Sequence, residues 1–329
     1  LTGLWWLAAL RSTRHGGRDG VLRLTWPALP GSVRSPAPGT HLVRQRSHKS
    51  PMSPLAIPFP DFDPVAFSLG PLTVKWYGLA YLAGLLIGWW YVRRLLGETR
   101  LWRNDTPPFG IDRVDDLLLY MTLGVVLGGR LGYVFLYEPS TYLANPADIL
   151  AIWKGGMSFH GALVGCALAG WAFAHRNGVS ALSTLDLGAA AVPIGLFFGR
   201  ISNFINGELF GRVTDVPWAM VFPHAQWLHP DVEPATRHPS QLYQAALEGL
   251  VLFIVLRFLT HHAGGLKRPG LVAGTFLAGY GVARIIGEIF REPHAVHAFN
   301  IGPITAGQSY SLPMIAIGLY VIWRARREA

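Results

Sequence analysis

Seven stretches of roughly 20 mostly apolar residues dominate this chain, near 72–92, 114–135, 157–174, 184–204, 242–260, 270–290 and 306–323. That is the length an α-helix needs to cross a bilayer's hydrocarbon core. A backbone in lipid has to satisfy its polar groups internally, so such stretches fold as helices. They predict an all-α polytopic membrane protein of about seven transmembrane helices. Composition agrees: 51% of the 329 residues are hydrophobic, 14% are charged, and the mean hydropathy is +0.31, unlike an ordinary soluble domain. The same stretches carry arginines, above all Arg200 and Arg284. An ionisable side chain in a span is costly enough that it normally faces a cavity and has a partner.

The net charge of +9 points toward an anionic partner until its distribution is read. Residues 1–51 hold eight basic residues against one acid, Asp19, and the body is nearly neutral, which argues against a nucleic acid. This leader has no methionine and ends just before Met52, after which SPLAIPFPDFDP reads as ordered protein. The body is therefore expected to start at Met52, with 52–329 a single transmembrane catalytic domain and 1–51 an upstream extension or a disordered leader. A basic targeting peptide headed by LWWLAAL is the rival reading. The single cysteine, Cys166, rules out an intramolecular disulfide framework and any multi-cysteine metal site. The histidines lack a carboxylate-rich pattern, so no metal is expected.

Basic residues in short loops set orientation. Arg93, Arg94, Arg100, Arg103, Arg113, Arg176, Lys267, Arg268, Arg324, Arg326 and Arg327 fall on one side, against Lys154, Arg212, Arg237 and Arg291 on the other. The C-terminus is accordingly expected in the cytoplasm. The longest connection, 205–240, then lies outside as a small extracytoplasmic cap, and loops this long are usually functional. Glycines at four-residue spacing (Gly84/Gly88, Gly124/Gly128, Gly161/Gly165, Gly195/Gly199, Gly270/Gly274) predict close helix packing.

The polar residues that lipid should reject fall into three sets. In GRISNFINGELFG, Arg200 and Asn203 share a helical face with Asn206 on the next turn, and Glu208 and Gly211 follow at the outer surface. An Arg200–Glu208 pair that merely orients the loop is the bland alternative. In GYGVARIIGEIFREP, Arg284, Glu288 and Arg291 are spaced i, i+4, i+7 on one stripe, where Glu288 neutralises one arginine and leaves another for an anion. Arginine suits phosphate because its planar fork donates two parallel hydrogen bonds. His160, in GGMSFHGAL, has small neighbours and a pKa suited to proton transfer; a lone histidine is otherwise a satisfied hydrogen-bonding residue. Ser158 is badly spaced for a Ser–His pair, and no GxSxG elbow is present. Tyr77, beside Trp76, and RHPSQLYQAALEG complete the polar set, all near one leaflet.

KWYGLAYLAG, GGRLGYVFLY, GGMSFHGALVG, GRISNFINGELFGRV, RHPSQLYQAALEG and GYGVARIIGEIFREP, in this order and separation, closely resemble the bacterial prolipoprotein diacylglyceryl transferases. The likeness runs from about Phe59 to the tail. It implies transfer of the diacylglyceryl moiety of phosphatidylglycerol to the lipobox cysteine of a preprolipoprotein, through a thioether, with release of glycerol 1-phosphate. Position by position, it implies that Arg200 and Arg284 bind the lipid, with Asn203, Glu208 and Gly211 as further signature residues and Glu288 as partner of Arg284. It also implies roles for His160, Tyr77 and Arg130. With a substrate thiol as nucleophile and the reacting bond already present in the lipid, no cofactor, metal or nucleotide is implied. The expected setting is the bacterial inner membrane, with the active site toward the outer leaflet. A lipid transporter or flippase and a membrane phospholipase using His160 are the alternatives.

Overall fold

The computed structural model describes residues 57–60, 62–63, 65–70, 72–152, 155–222, 235–292 and 305–327. The leader, Met52 and residues 223–234 of the expected cap lie outside these. In chain order the elements are β1 (Ile57–Pro58), β2 (Val65–Leu69), β3 (Leu72–Lys75), α1 (Trp76–Gly97), α2 (Val114–Leu136), the short α3 (Pro139–Ala144), α4 (Phe159–Asn177), α5 (Ala181–Ile205), β4 (Met220–Val221), α6 (Ser240–His261), α7 (Leu271–Phe290) and α8 (Ala306–Arg327). Seven of the helices are long and fall on the seven apolar stretches. Four of them, α2, α5, α6 and α7, are long and apolar enough to cross a membrane by length and composition.

The first stretch needs a correction at its front. Leu72–Lys75 pairs antiparallel with Val65–Leu69 across a turn in which Gly70 has φ +58°, and the helix begins only at Trp76. The β-branched Thr73 and Val74 favour the extended form. At its far end α1 runs on past the apolar stretch to Gly97, because Arg93 and Arg94 reach back to stack over Trp89 and Trp90 while their charged heads leave the apolar zone.

α5 is the hub, packing against α1, α4, α6 and α7, with α2 on α4 and α7 on α8 as the other main pairs. The α2–α4 pair shows what the spaced glycines do. A Cβ at Gly124 would lie 2.6 Å from the Gly165 carbonyl oxygen, and one at Gly132 would lie 2.6 Å from the Cα of Gly161. Only hydrogen fits between these backbones. The largest core, around Tyr91, Leu95, Trp102, Leu187, Leu256 and Val272, fills the bundle toward the end that carries Gly97 and His261. Outward side chains such as Leu127, Leu168 and Phe135 stay exposed, as lipid-facing positions do.

One ionisable residue in this core is structural. Asp186 of α5 is fully buried, and its two oxygens accept from the amides of Gly270 and Ala273 at 2.7 Å each. It thus caps the N-terminus of α7 from another helix, satisfying amides with no intrahelical partner. Asp186→Ala should destabilise the fold by about 2–4 kcal/mol, since the charged acceptor of two amides is lost. Thermal unfolding in detergent checks this, and Asp186→Asn should fall between the two.

At the opposite end the cap is tied down by short pairings rather than helices. β1 runs parallel to β4, and isolated bridges join Gly211 to Arg291 and Val213 and Met220 to Arg237. Phe59, Phe204, Phe210 and Phe222 pack beneath it.

Candidate active site

Two charged residues within apolar helices explain each other. Glu248 of α6 is fully buried, and its Oε2 accepts from Arg200 Nε at 3.1 Å and Nη2 at 2.9 Å. Its other oxygen lies 3.9 Å from Nη1 of Arg284, whose Nη2 pairs with Glu288 Oε2 at 3.0 Å. One carboxylate therefore bridges the two arginines, each 16% exposed. A charge taken out of water costs several kcal/mol unless it is paired, and here each member offsets another.

Local structure sets this geometry. Within α6, residues Ala245–Val251 widen into a π-helical turn that contains Glu248, a rare feature that recurs at functional sites. The next residue, Gly249, lies so close to α5 that a Cβ there would be 2.7 Å from Phe197 Cβ. That contact brings Glu248 within reach of Arg200, one turn further along α5.

Arg200 is thus not left free, as the sequence suggests, and its partner is not Glu208. Glu208 instead accepts from Asn203 Nδ2 at 2.8 Å, and its backbone carbonyl accepts from Gln241 Nε2 at 2.6 Å. The Arg200 guanidinium spends one edge on Glu248. Among the described residues, its Nη1 and that of Arg284 make no hydrogen bond. These donors remain for an anion.

Other expected residues gather around the bridge. Tyr77 of α1 lies close enough to feel the charges of Glu208 and Arg200, and its hydroxyl is 3.1 Å from that of Tyr81. α1 is held there by a tight crossing, since a Cβ at Gly84 would lie 3.1 Å from the Gly195 Cα. The stripe expected through Arg284, Glu288 and Arg291 is broken, because α7 ends at Phe290 and Arg291 adopts extended backbone. Arg291 still sits in the field of Arg284 and Arg200. Burial, then those two like charges, push its guanidinium down to about 10. Gly211 is a packing necessity: a Cβ there would fall 2.5–2.6 Å from the Phe290 carbonyl oxygen and from His238.

Two expected residues do not join the cluster. Arg130 is 3% exposed and donates to the carbonyls of Asp148, Ile149, Ala151, Gly155 and Gly156, with Tyr142 stacked on its guanidinium. These bonds fold the α2–α4 connection. His160 lies in the first turn of α4, and its side chain is outside the described residues. Ser158 is the N-cap of that helix, accepting from Gly161 N at 3.1 Å.

The structure adds residues that spacing does not single out. Gln241, Gln244 and Glu248 stand at i, i+3, i+7 on α6, all fully buried, and each has a side-chain atom without a hydrogen bond among the described residues. Buried polar groups are normally satisfied, so this stripe has hydrogen-bonding capacity left for a ligand or water. Tyr280, 5% exposed on α7, feels the charges of Glu248, Arg200 and Arg284. One signal was available for Glu248: it is a carboxylate inside an apolar stretch, as foreign there as the arginines. At the cap, His238 Nδ1 lies 3.1 Å from the Tyr243 hydroxyl, which accepts from Trp218 Nε1 at 2.6 Å. Burial lowers the His238 pKa.

The arrangement is a buried, anion-ready cluster beneath a small cap. A family model described as prolipoprotein diacylglyceryl transferase matches residues 64–324. The chain is similar to a phosphatidylglycerol–prolipoprotein diacylglyceryl transferase of Allorhizobium ampelinum, 52% identical over 272 residues that cover 82% of this chain and 92% of that protein. Proteins of the same name from Rhizobium meliloti, 52% identical over 274 residues, and Brucella anthropi, 50% over 275, each match 83% of this chain and 95% of their own length.

Proposed function

Because this chain belongs to the prolipoprotein diacylglyceryl transferase family, we propose that it moves the diacylglyceryl group of phosphatidylglycerol onto the lipobox cysteine of a preprolipoprotein. The observation that carries this reading is the Glu248 bridge, which holds two arginines side by side in a buried site with an Nη1 donor left on each.

In the reaction the cysteine thiol gives up its proton to a base, for which His160 is the candidate. The thiolate sulfur attacks the glyceryl carbon that carries the phosphate. A C–S bond forms, the C–O bond breaks, and its electron pair goes to the phosphate oxygen as glycerol 1-phosphate leaves. Negative charge grows on that phosphate, and preorganised arginine donors stabilise it most where water is excluded. A thiol with an ordinary pKa of about 8.5 is mostly protonated at neutral pH, so the base and the cationic field both help to form the nucleophile. Tyr77, Asn203 and Glu208 would face the head group, with Glu288 and Arg291 shaping the field. Placing this site toward the outer leaflet, with the C-terminus in the cytoplasm, follows from the basic-residue bias. The cap at 205–240 would then gate entry of the peptide.

His160→Gln is expected to lower kcat by about 10²–10⁴-fold, the usual worth of a general base, and to flatten the pH–rate profile near neutrality. A variant with near-normal kcat would move the base role to Tyr77 or to a water. The reading as a whole is tested by giving purified protein labelled phosphatidylglycerol and a lipobox peptide, with its cysteine intact or replaced by serine. Lipidation that requires the cysteine is the expected result. Free diacylglycerol without peptide would indicate a phospholipase, and binding without turnover would indicate a transporter.

A further inference from the structure

The two ends of α5 differ in chemistry. Arg200 sits in its last turns, whereas its first residues, roughly 25 Å away at about 1.5 Å per residue, open on a cavity of about 300 Å³. Three connections meet there, those following α1, α4 and α6, and they contribute Arg103, Ser180 and Lys267, while Ser183 lines the cavity from the first turn of α5.

Two helix N-termini converge at this end, and they are treated differently. That of α7 is already capped by the buried carboxylate of Asp186, so both charges are spent. That of α5 has only Ser180, whose Oγ accepts from Ser183 N at 3.3 Å. The amides of Ala181 and Leu182 are left as first-turn donors, and such a terminus favours an anion. Ser183 supplies the second, independent sign. It is 7% exposed and lines the cavity, yet among the described residues its hydroxyl has no hydrogen-bond partner. Arg103 and Lys267 flank the opening, and among the described residues neither makes an ion pair. Two cations outside any ion pair among the described residues, the cavity-lining hydroxyl of a largely buried serine and first-turn helix amides thus surround a space large enough for one small anion.

We propose that this cavity is a second anion site, separate from the Arg200–Arg284 cluster, that takes a phosphate group. The phosphate could be that of a small free ester or of a lipid head group in the adjoining leaflet. Either would clamp the three connections together at the end of the bundle away from the chemistry.

The test uses the full-length protein in two arms. In detergent, inorganic phosphate is titrated calorimetrically. In phosphatidylcholine nanodiscs doped with phosphatidate, retained lipid is counted by native mass spectrometry. Arg103→Ala/Lys267→Ala should weaken binding by on the order of tenfold or more, and Ser183→Ala by about threefold, while cysteine-dependent transfer is unchanged. Loss of phosphate binding in the double variant identifies a free anion as ligand. One fewer retained phosphatidate, without a calorimetric signal, identifies a lipid head group. Equal phosphate affinity and equal retained lipid in wild type and double variant would overturn the proposal.

Discussion

Arg200→Ala is expected to lower kcat/KM for lipidation of a lipobox peptide by on the order of 10³-fold, which corresponds to about 4 kcal/mol of transition-state stabilisation. The loss has two sources that experiment can separate. One is the missing phosphate donor. The other is structural, because among the described residues Glu248 would keep only Arg284, at 3.9 Å, as an ion-pair partner. Breaking a buried ion pair by removing one partner costs about 3–5 kcal/mol. Arg200→Ala/Glu248→Ala should therefore recover much of the thermal stability lost in the single variant while staying just as inactive. Unfolding curves and single-turnover rates on both proteins check this. Recovery of activity along with stability would mean that Arg200 acts only on the fold.

Glu248→Gln is expected to act differently on kcat and KM. The amide is nearly isosteric but removes the carboxylate that pairs Arg200, while Arg284 keeps Glu288 at 3.0 Å, and losing a buried charge partner has a stability cost of about 3–5 kcal/mol. The field of the two arginines would hold the lipid phosphate in the ground state at least as well as before, so KM should not rise. Without the bridge the two forks are no longer aimed together, and kcat should fall by about 10²-fold, as when one preorganised donor is removed. Initial rates over a range of phosphatidylglycerol concentrations give the split directly. A large rise in KM with kcat unchanged would assign Glu248 to lipid binding instead.

The helices were legible in the sequence because lipid imposes a simple rule, and Arg200, Arg284 and Glu288 stood out by violating it. The Arg284–Glu288 pair follows from i, i+4 spacing and is present at 3.0 Å. What the sequence hid are contacts between helices. Arg200 and Glu248 are 48 residues apart, and their meeting depends on a π-turn and on a glycine contact between α5 and α6. Spacing rules compare residues on one helix, so they offer Glu208 as the partner and cannot weigh Glu248. The same limit applies to Arg130, whose carbonyl partners in the folded α2–α4 connection lie 18 to 26 residues along the chain. Gly211 adds a second case: the string marks the position, and only the fold shows that Phe290 and His238 crowd the place of its missing side chain. The front of the first stretch reads as span because Leu72 and Val74 are apolar and continue into the helix, while the strand that pairs with residues 72–75 lies just before them.

The phosphate role of Arg200 is tested most directly by its lysine variant. Lysine keeps the positive charge, so the pairing with Glu248 should survive, but a single ammonium cannot hold the carboxylate along one edge and offer a second donor to phosphate. Arg200→Lys should therefore unfold near the wild-type temperature yet lipidate the cysteine peptide at least tenfold more slowly, and a lysine variant with full wild-type turnover would contradict the phosphate clamp.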